Sequence, residues 1–228
     1  MIICLDAGHT PGVDPGACGN ELQESDLTGD ICERVAIKLS SYDVDVRQIP
    51  RTDSLNVRCA YANALNASAF ISIHINAGGG TGFESYVCPS MTDRSTVLSD
   101  SLHRACMEYM SPLGMTDRGK KFASFAVLKN TVMPAVLLEC LFIDNLQDAA
   151  WLKNDSFLDG LANAIAWGLV QALELKQSLY DPTVDAIKAL QAKGVVIDPD
   201  YWLSNAKAGK QCDGGLVALL IRNFASKI

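Results

Sequence analysis

The run Ala69-Phe70-Ile71-Ser72-Ile73-His74 is almost continuously apolar, with no in-out alternation, and a strand of that kind has to be covered on both faces. It is one of several short apolar runs separated by longer segments of helical periodicity. Strands are expected at Met1 to Asp6, Val44 to Gln48, Phe83 to Val87, Ala126 to Leu128 and Ala135 to Glu139. Helices are expected at Asp26 to Leu39, Leu55 to Asn66, Leu98 to Met110 and Phe157 to Leu175; in the first, Leu27, Ile31, Val35 and Leu39 fall on one face. Strands alternating with helices imply an α/β fold, a mixed or parallel sheet with helices on both sides.

The pattern changes after Leu175. Lys176-Gln177-Ser178 leads into a turn at Tyr180-Asp181-Pro182, and a fresh helical start follows at Thr183. This divides the chain into a domain at 1–175, a linker at 176–182 and a small all-α module at 183–228, with helices expected at Val184 to Lys193, Pro199 to Asn205 and Gly215 to Ser226. From Asp181 onward basic and acidic residues nearly balance, so the net charge of −7 belongs to the first domain. No basic stripe is present, which argues against nucleic acid as a partner. No run approaches the roughly 18 apolar residues of a membrane span, so membrane insertion is not expected. The segment Met1-Ile2-Ile3-Cys4-Leu5-Asp6 reads as a strand and not as a secretory signal, so synthesis in the cytoplasm without an export signal is expected. Eight cysteines with no C-x-x-C pair are best read as reduced, mostly buried thiols.

Two of the three histidines end strands: His9, after Asp6-Ala7-Gly8, and His74, before Ile75-Asn76-Ala77. Ligand sites of open α/β sheets lie at that edge. Glu24 stands at the start of the helix led by Ser25-Asp26, where a carboxylate can face the same edge. Two imidazoles and one carboxylate make a three-ligand zinc set with a position open for water. Glu139 ends the apolar run Pro134 to Leu138, a costly place for a carboxylate without a partner or a task, and is the candidate general base. Each residue has a plainer reading. Either histidine can be a satisfied structural residue; Glu24 can simply answer the helix macrodipole. Glu139 can pair with Arg51, Arg58 or Arg118, Asn76 can fix its own loop, and His103 reads as a surface residue in mid-helix. Cys140, beside Glu139, invites comparison with thiol hydrolases, but a cysteine after a buried strand is usually inert.

The ordered set of Leu5-Asp6-Ala7-Gly8-His9, Asp14-Pro15-Gly16-Ala17, Glu24-Ser25-Asp26, Arg51-Thr52, Arg58-Cys59-Ala60-Tyr61-Ala62-Asn63 and Phe70 to Ala77 resembles the zinc-dependent type-3 family of N-acetylmuramoyl-L-alanine amidases. Arg118-Gly119, Phe125-Ala126-Val127-Leu128, Met133 to Glu139 and Phe142-Ile143-Asp144-Asn145 continue the match, which covers about residues 1 to 175. Thr10 departs from it, standing where the family often has glycine. The resemblance implies a twisted, mostly parallel sheet flanked by helices, a zinc cofactor held by His9, Glu24 and His74, and Glu139 as the catalytic carboxylate. It also implies peptidoglycan as the partner, cut at the amide bond between N-acetylmuramic acid and the first L-alanine of the stem peptide. A phage or prophage endolysin, released to act on the wall, is the leading setting, with a bacterial autolysin close behind. The other readings are a catalytically silent wall-binding protein and a zinc peptidase acting within the stem. The tail loosely resembles helical modules of wall hydrolases. Wall targeting, or a homodimer through its apolar last helix, are its two readings, and Tyr201 and Trp202 can be either its core or a stacking surface.

Overall fold

The computed structural model describes residues 1–90, 93–178, 182–195 and 198–205. In chain order the elements are β1 (Ile2–Ala7), β2 (Cys18–Gly19), β3 (Leu22–Gln23), α1 (Glu24–Leu39), β4 (Asp45–Gln48), α2 (Leu55–Ala64), β5 (Ala69–Asn76), β6 (Phe83–Val87), α3 (Asp93–Met110) and β7 (Asp117–Phe122). They continue with α4 (Ala126–Lys129), β8 (Ala135–Phe142), α5 (Leu146–Leu152), α6 (Asp155–Ala172), α7 (Pro182–Ala192) and α8 (Pro199–Asn205). The chain divides into two compact units, Met1–Gln177 and Ser178–Ile228.

The first unit is built on a six-stranded sheet ordered β4-β1-β5-β8-β6-β7. The strands β4, β1, β5 and β8 are parallel neighbours, whereas β6 lies antiparallel to β8 and carries β7 parallel to itself. This is the twisted, mostly parallel sheet expected. β5 has no solvent-facing side: Ile71, Ile73 and Ile75 enter the larger core with α1, α3 and α6, and Phe70 enters a smaller one. That smaller core holds Cys4, Cys59 of α2, Val127 and Leu128 of α4, and Leu137. Helix α1 buries Leu27, Ile31, Val35 and Leu39, and α6 is capped by the Asn154 side chain, which accepts from the Phe157 N–H.

Several elements differ from the sequence-based reading, the short helix α5 among them. Residues 126–128 form not a strand but the single helical turn α4, because three apolar residues carry no periodicity and the position beside β5 belongs to β8. β7, Asp-Arg-Gly-Lys-Lys-Phe, has no apolar run because it is an edge strand, where polar side chains meet water. The small hairpin β2–β3 turns through Asn20 and Glu21, both in left-handed conformation (φ 49° and 64°), as a two-residue hairpin turn requires.

β8 also runs past Glu139 to Phe142. Its register against β5 slips between the pairs His74–Glu139 and Asn76–Phe142, giving β8 one extra residue; Leu141 sits there at φ 74°, fully buried. Of the second unit, α7 and α8 are described, and Ile187, Val195 and Trp202 are buried, so Trp202 is a core residue there. The helix expected at 215–226 lies outside the described residues. Among the described residues no helix is long and apolar enough to cross a membrane, and the seven described cysteines are free, all buried except Cys18.

One ion pair joins three elements beneath the sheet edge. Asp6 of β1 and Arg58 of α2, 1% and 3% exposed, meet at 2.7 Å, and Ser72 of β5 donates its hydroxyl to the other Asp6 oxygen at 2.7 Å. Arg58 also donates to the carbonyls of Thr52 (2.6 Å), Ala7 (2.6 Å) and His9 (2.7 Å) and to the Thr10 hydroxyl (3.2 Å). All five guanidinium N–H groups are thereby engaged. Breaking one side of a buried pair leaves an uncompensated charge, so Arg58→Ala is expected to cost about 3–5 kcal/mol in urea unfolding. Adding Asp6→Asn, which removes that stranded charge, should recover part of the loss.

Candidate active site

The cleft lies at the carboxyl edge of β1, β5 and β8, on the face covered by α2 and α4, with a volume of about 340 Å³. Gly8 lets β1 and β5 present their histidines side by side, since a Cβ there would stand 2.6 Å from the His74 ring. His9 itself is left-handed, φ 63°, and its carbonyl points back to Arg58 (2.7 Å) and Arg51 (3.3 Å). The chain then turns at Thr10, whose N–H donates to the Asp14 carbonyl at 2.8 Å, and this returns the Asp14 carboxylate to the His9 ring, with Oδ2 2.7 Å from Nδ1.

Glu24 is the first residue of α1 and is 3% exposed. The hairpin β2–β3 delivers it: the Glu24 N–H donates to the Ala17 carbonyl at 2.9 Å, and the Ala17 N–H returns to Glu24 Oε2 at 2.8 Å. Glu24 Oε2 lies 3.2 Å from His9 Nε2, and Oε1 lies 2.9 Å from His74 Nδ1 while accepting from the Ile75 N–H at 3.0 Å. Thus His9, Glu24 and His74 come together, each offering one donor atom within 4.8 Å of the others. Gly16, at φ 69°, closes over them so tightly that a Cβ would meet the His9 ring at 2.5 Å and Glu24 Oε2 at 2.6 Å.

Electrostatics favour a cation at this spot. The Glu24 hydrogen bond, against burial and assisted by Asp14, lifts the His9 imidazole to about 9. Burial works to raise the Glu24 carboxyl, but His74 and His9 outweigh it and hold it well below the usual carboxylate range. In the metal-free protein a proton answers that field. Two imidazoles and one carboxylate, with the far nitrogen of one imidazole bonded to a second carboxylate, also suit a divalent metal ion.

Glu139 is the register partner of His74 on β8 and opens into the same cleft. It pairs with none of the three arginines considered from sequence: Arg58 binds Asp6, Arg118 binds Glu84 at 2.6 Å, and Arg51 donates to the Ser25 carbonyl at 2.6 Å. Its Oε2 is buried with no hydrogen-bond partner. Burial pushes its pKa up to about 7; the His74 charge opposes this and Glu24 and Glu84 add to it. A carboxyl poised there can both take and return a proton.

The remaining sequence candidates have structural roles. Asn76 accepts from the Ala77 N–H at 2.8 Å and donates to Glu84 at 2.8 Å, so it fixes its loop. Cys140 is fully buried, with its thiol pushed well above the ordinary value, and cannot serve as a nucleophile. His103 is not a surface residue: it is 6% exposed, with Ser85 Oγ 2.8 Å from Nδ1 and Asp117 Oδ1 3.0 Å from Nε2. The polar groups that hold it come from β6 and β7, which local helical spacing does not show.

Three residues had no local signal: Asp14 on His9, Arg58 beneath the loop, and Glu84. Glu84 is 2% exposed and accepts from Tyr86 at 2.7 Å, from Arg118 and from Lys121. Burial would raise its pKa, yet Lys121, Arg118 and Tyr86 hold it at about 2, below the ordinary 4.5. A depressed carboxylate stabilises the fold above its unfolded pKa and loses that contribution as pH falls toward its folded one. Urea midpoints should therefore drop between about pH 4.5 and 2, and Glu84→Gln should lower the midpoint at neutral pH while making the acid limb shallower.

The chain is similar to known proteins over most of its first unit. Residues 3–171 match the family described as N-acetylmuramoyl-L-alanine amidase. The sporulation-specific N-acetylmuramoyl-L-alanine amidase of Bacillus subtilis (strain 168) is 41% identical over 215 residues, which cover 90% of this chain and 80% of that protein. The endolysin of Bacillus phage SPP1 is 42% identical over 187 residues, 77% of this chain and 67% of its own length. The solved N-acetylmuramoyl-L-alanine amidase from Clostridium difficile 630 superposes with a TM-score of 0.71 at 31% identity, covering 76% of this chain and 96% of that one. The chain belongs to the N-acetylmuramoyl-L-alanine amidase family.

Proposed function

We propose that this chain is a zinc-dependent peptidoglycan hydrolase that cuts the amide bond between N-acetylmuramic acid and the first L-alanine of the stem peptide. The observation that carries the reading is the convergence of three metal-type donors beside a carboxyl, Glu139, whose inner oxygen has no partner. His9, Glu24 and His74 would hold the ion. A bound zinc ion lowers the pKa of water toward about 7 and polarises the carbonyl.

The protein supplies the rest. Asp14, 2.7 Å from His9 Nδ1, would accept the proton there and so leave Nε2 as the nitrogen able to hold a metal. Glu139 takes the proton released as water attacks the lactyl carbonyl carbon and delivers it to the departing nitrogen. The C–N bond breaks, leaving a lactyl carboxylate on the sugar and a free L-alanine amino terminus on the peptide. Leu55, Phe125 and Val127 give the cleft an apolar border.

The setting we propose is a phage or prophage endolysin, or a bacterial autolysin; a phage endolysin and bacterial amidases are both among the relatives. For the segment at 183–228 we propose wall targeting or assembly through a homodimer, and sedimentation of the full chain with and without wall fragments tells these apart.

The test is a digest of purified peptidoglycan with zinc-loaded, chelator-treated and Glu139→Gln protein. Zinc-loaded protein should release new L-alanine amino termini, chelation should abolish release until zinc is restored, and Glu139→Gln should lose activity by at least about 100-fold while still binding zinc. New amino termini from other stem residues would indicate a peptidase, and no release at all would indicate a silent wall-binding protein. Asp14→Asn should weaken zinc affinity by about 10- to 100-fold in a chelator competition, with thermal unfolding of the metal-free chain little changed.

A further inference from the structure

The polar groups on the cleft face of the sheet do not end at Glu139. Residues paired across neighbouring strands point to the same face. Glu139 is paired with His74 on one side and with Glu84 of β6 on the other, so His74, Glu139 and Glu84 stand in one row across three strands. The row is completed from the edge strand β7. Arg118 Nε reaches Glu84 Oε2 at 2.6 Å, and the Lys121 ammonium bonds the same oxygen.

Glu84 is buried, but the two cations are not: the Arg118 and Lys121 side chains are 33% and 36% exposed, and the Arg118 guanidinium lies 4.8 Å over the Phe142 ring. One carboxylate thus faces two cations within this cluster. Asp148 is held by Thr81, Gly82 and Phe142, Asp144 by the Gly78 and Gly79 N–H groups, and Asp117 by His103 and Gly119, so among the described residues Glu84 is the carboxylate that Arg118 and Lys121 pair with. In a chain of net charge −7, a partly exposed pair of cations beside the site marks where an anionic part of a substrate can be received.

Distance narrows the choice. Adjacent strands lie about 4.8 Å apart, and an extended peptide advances about 3.3–3.6 Å per residue. A group on the second residue beyond a bond cut at Glu139 therefore lies about 7 Å away, over Glu84 and its cations. The opposite wall is lined by Leu55, Phe125 and Val127 with the acidic Asp53, a side chain that would not receive an anion.

We propose that Arg118 and Lys121 form a specificity-determining subsite for the carboxylate of the second stem-peptide residue, so that the peptide leaves the cut bond toward β7. This rests on the amidase reading above. The experiment compares kcat/KM for two muramoyl peptides that differ only in whether that carboxylate is free or amidated, using the full zinc-loaded chain, Arg118→Gln, Lys121→Gln and Arg118→Lys. The native chain should prefer the free acid by about tenfold. Either glutamine variant should bring the ratio toward one, chiefly through KM on the acid, and Arg118→Lys should keep most of the preference. If Arg118→Gln proves unfolded by circular dichroism, the more exposed Lys121 carries the same test. An equal rate on both peptides by the native chain, or a ratio unchanged in the variants even where both rates fall, overturns the subsite and leaves the amidase reading standing. Cleavage of neither peptide by the native chain overturns both.

Discussion

Arg58 reaches from α2 under the carboxyl edge of the sheet and gives each of its five N–H groups an acceptor, one of them the carboxylate of Asp6. Three of those acceptors belong to the segment Ala7 to Thr10 that carries His9. The ion pair is therefore less a link between two charges than a mould for the loop. Carbonyls turned toward a buried guanidinium cannot rotate without losing a charge-assisted bond, and their direction fixes the left-handed backbone of His9. Arg51 tightens the same loop and also binds the Ser25 carbonyl at the start of α1. The two arginines thus couple the position of His9 to that of Glu24. Ser72, bonded to the other Asp6 oxygen, sits two residues before His74 on β5. Three metal-type donors, from a loop, a helix start and a strand, share one buried polar foundation.

The sheet supplies the second constraint. Parallel β1, β5 and β8 end at the same edge, and strand register then decides which side chains become neighbours. Pairing of His74 with Glu139 places a carboxyl beside the donor set with no loop needed to aim it. The extra residue at Leu141 lets β8 slip past β5 just beyond that pair, while Asp148 accepts from the Phe142 N–H at 2.9 Å and anchors the far side of the slip. A buried left-handed leucine is unfavourable by about 1–3 kcal/mol, and it persists because the sheet on both sides leaves β8 no other path.

How much of this could be read from sequence follows from the range of each contact. His9, His74 and Glu139 were legible because each ends an apolar run, and an ionisable group there is a visible exception. Glu24 was ambiguous because an acid at a helix start is ordinary. What distinguishes it is a two-residue turn at Asn20 and Glu21 and two bonds with Ala17, none of which leaves a periodic trace. Asp14 was inside a family segment, yet its bond to His9 depends on a tight turn at Thr10. Arg58 and Glu84 act across 52 and 34 residues respectively, to Asp6 and from Arg118, and polar partners at that separation leave no mark in local pattern. β7 was missed because hydrophobic patterning records only burial, and an edge strand is held mainly by its backbone.

β7 also bears on how the molecule behaves among its own kind. An edge strand exposes a row of unpaired backbone groups, a template on which another chain can add itself, and charged side chains are a common protection against this. Here the protecting residues include Arg118, Lys120 and Lys121. A substitution that neutralises this strand would change more than what is recognised beside the cleft, because it would also make the edge more adhesive. Selection for a new wall chemistry at these positions is therefore tied to colloidal stability, and it has fewer acceptable solutions than the partly exposed setting of these side chains implies.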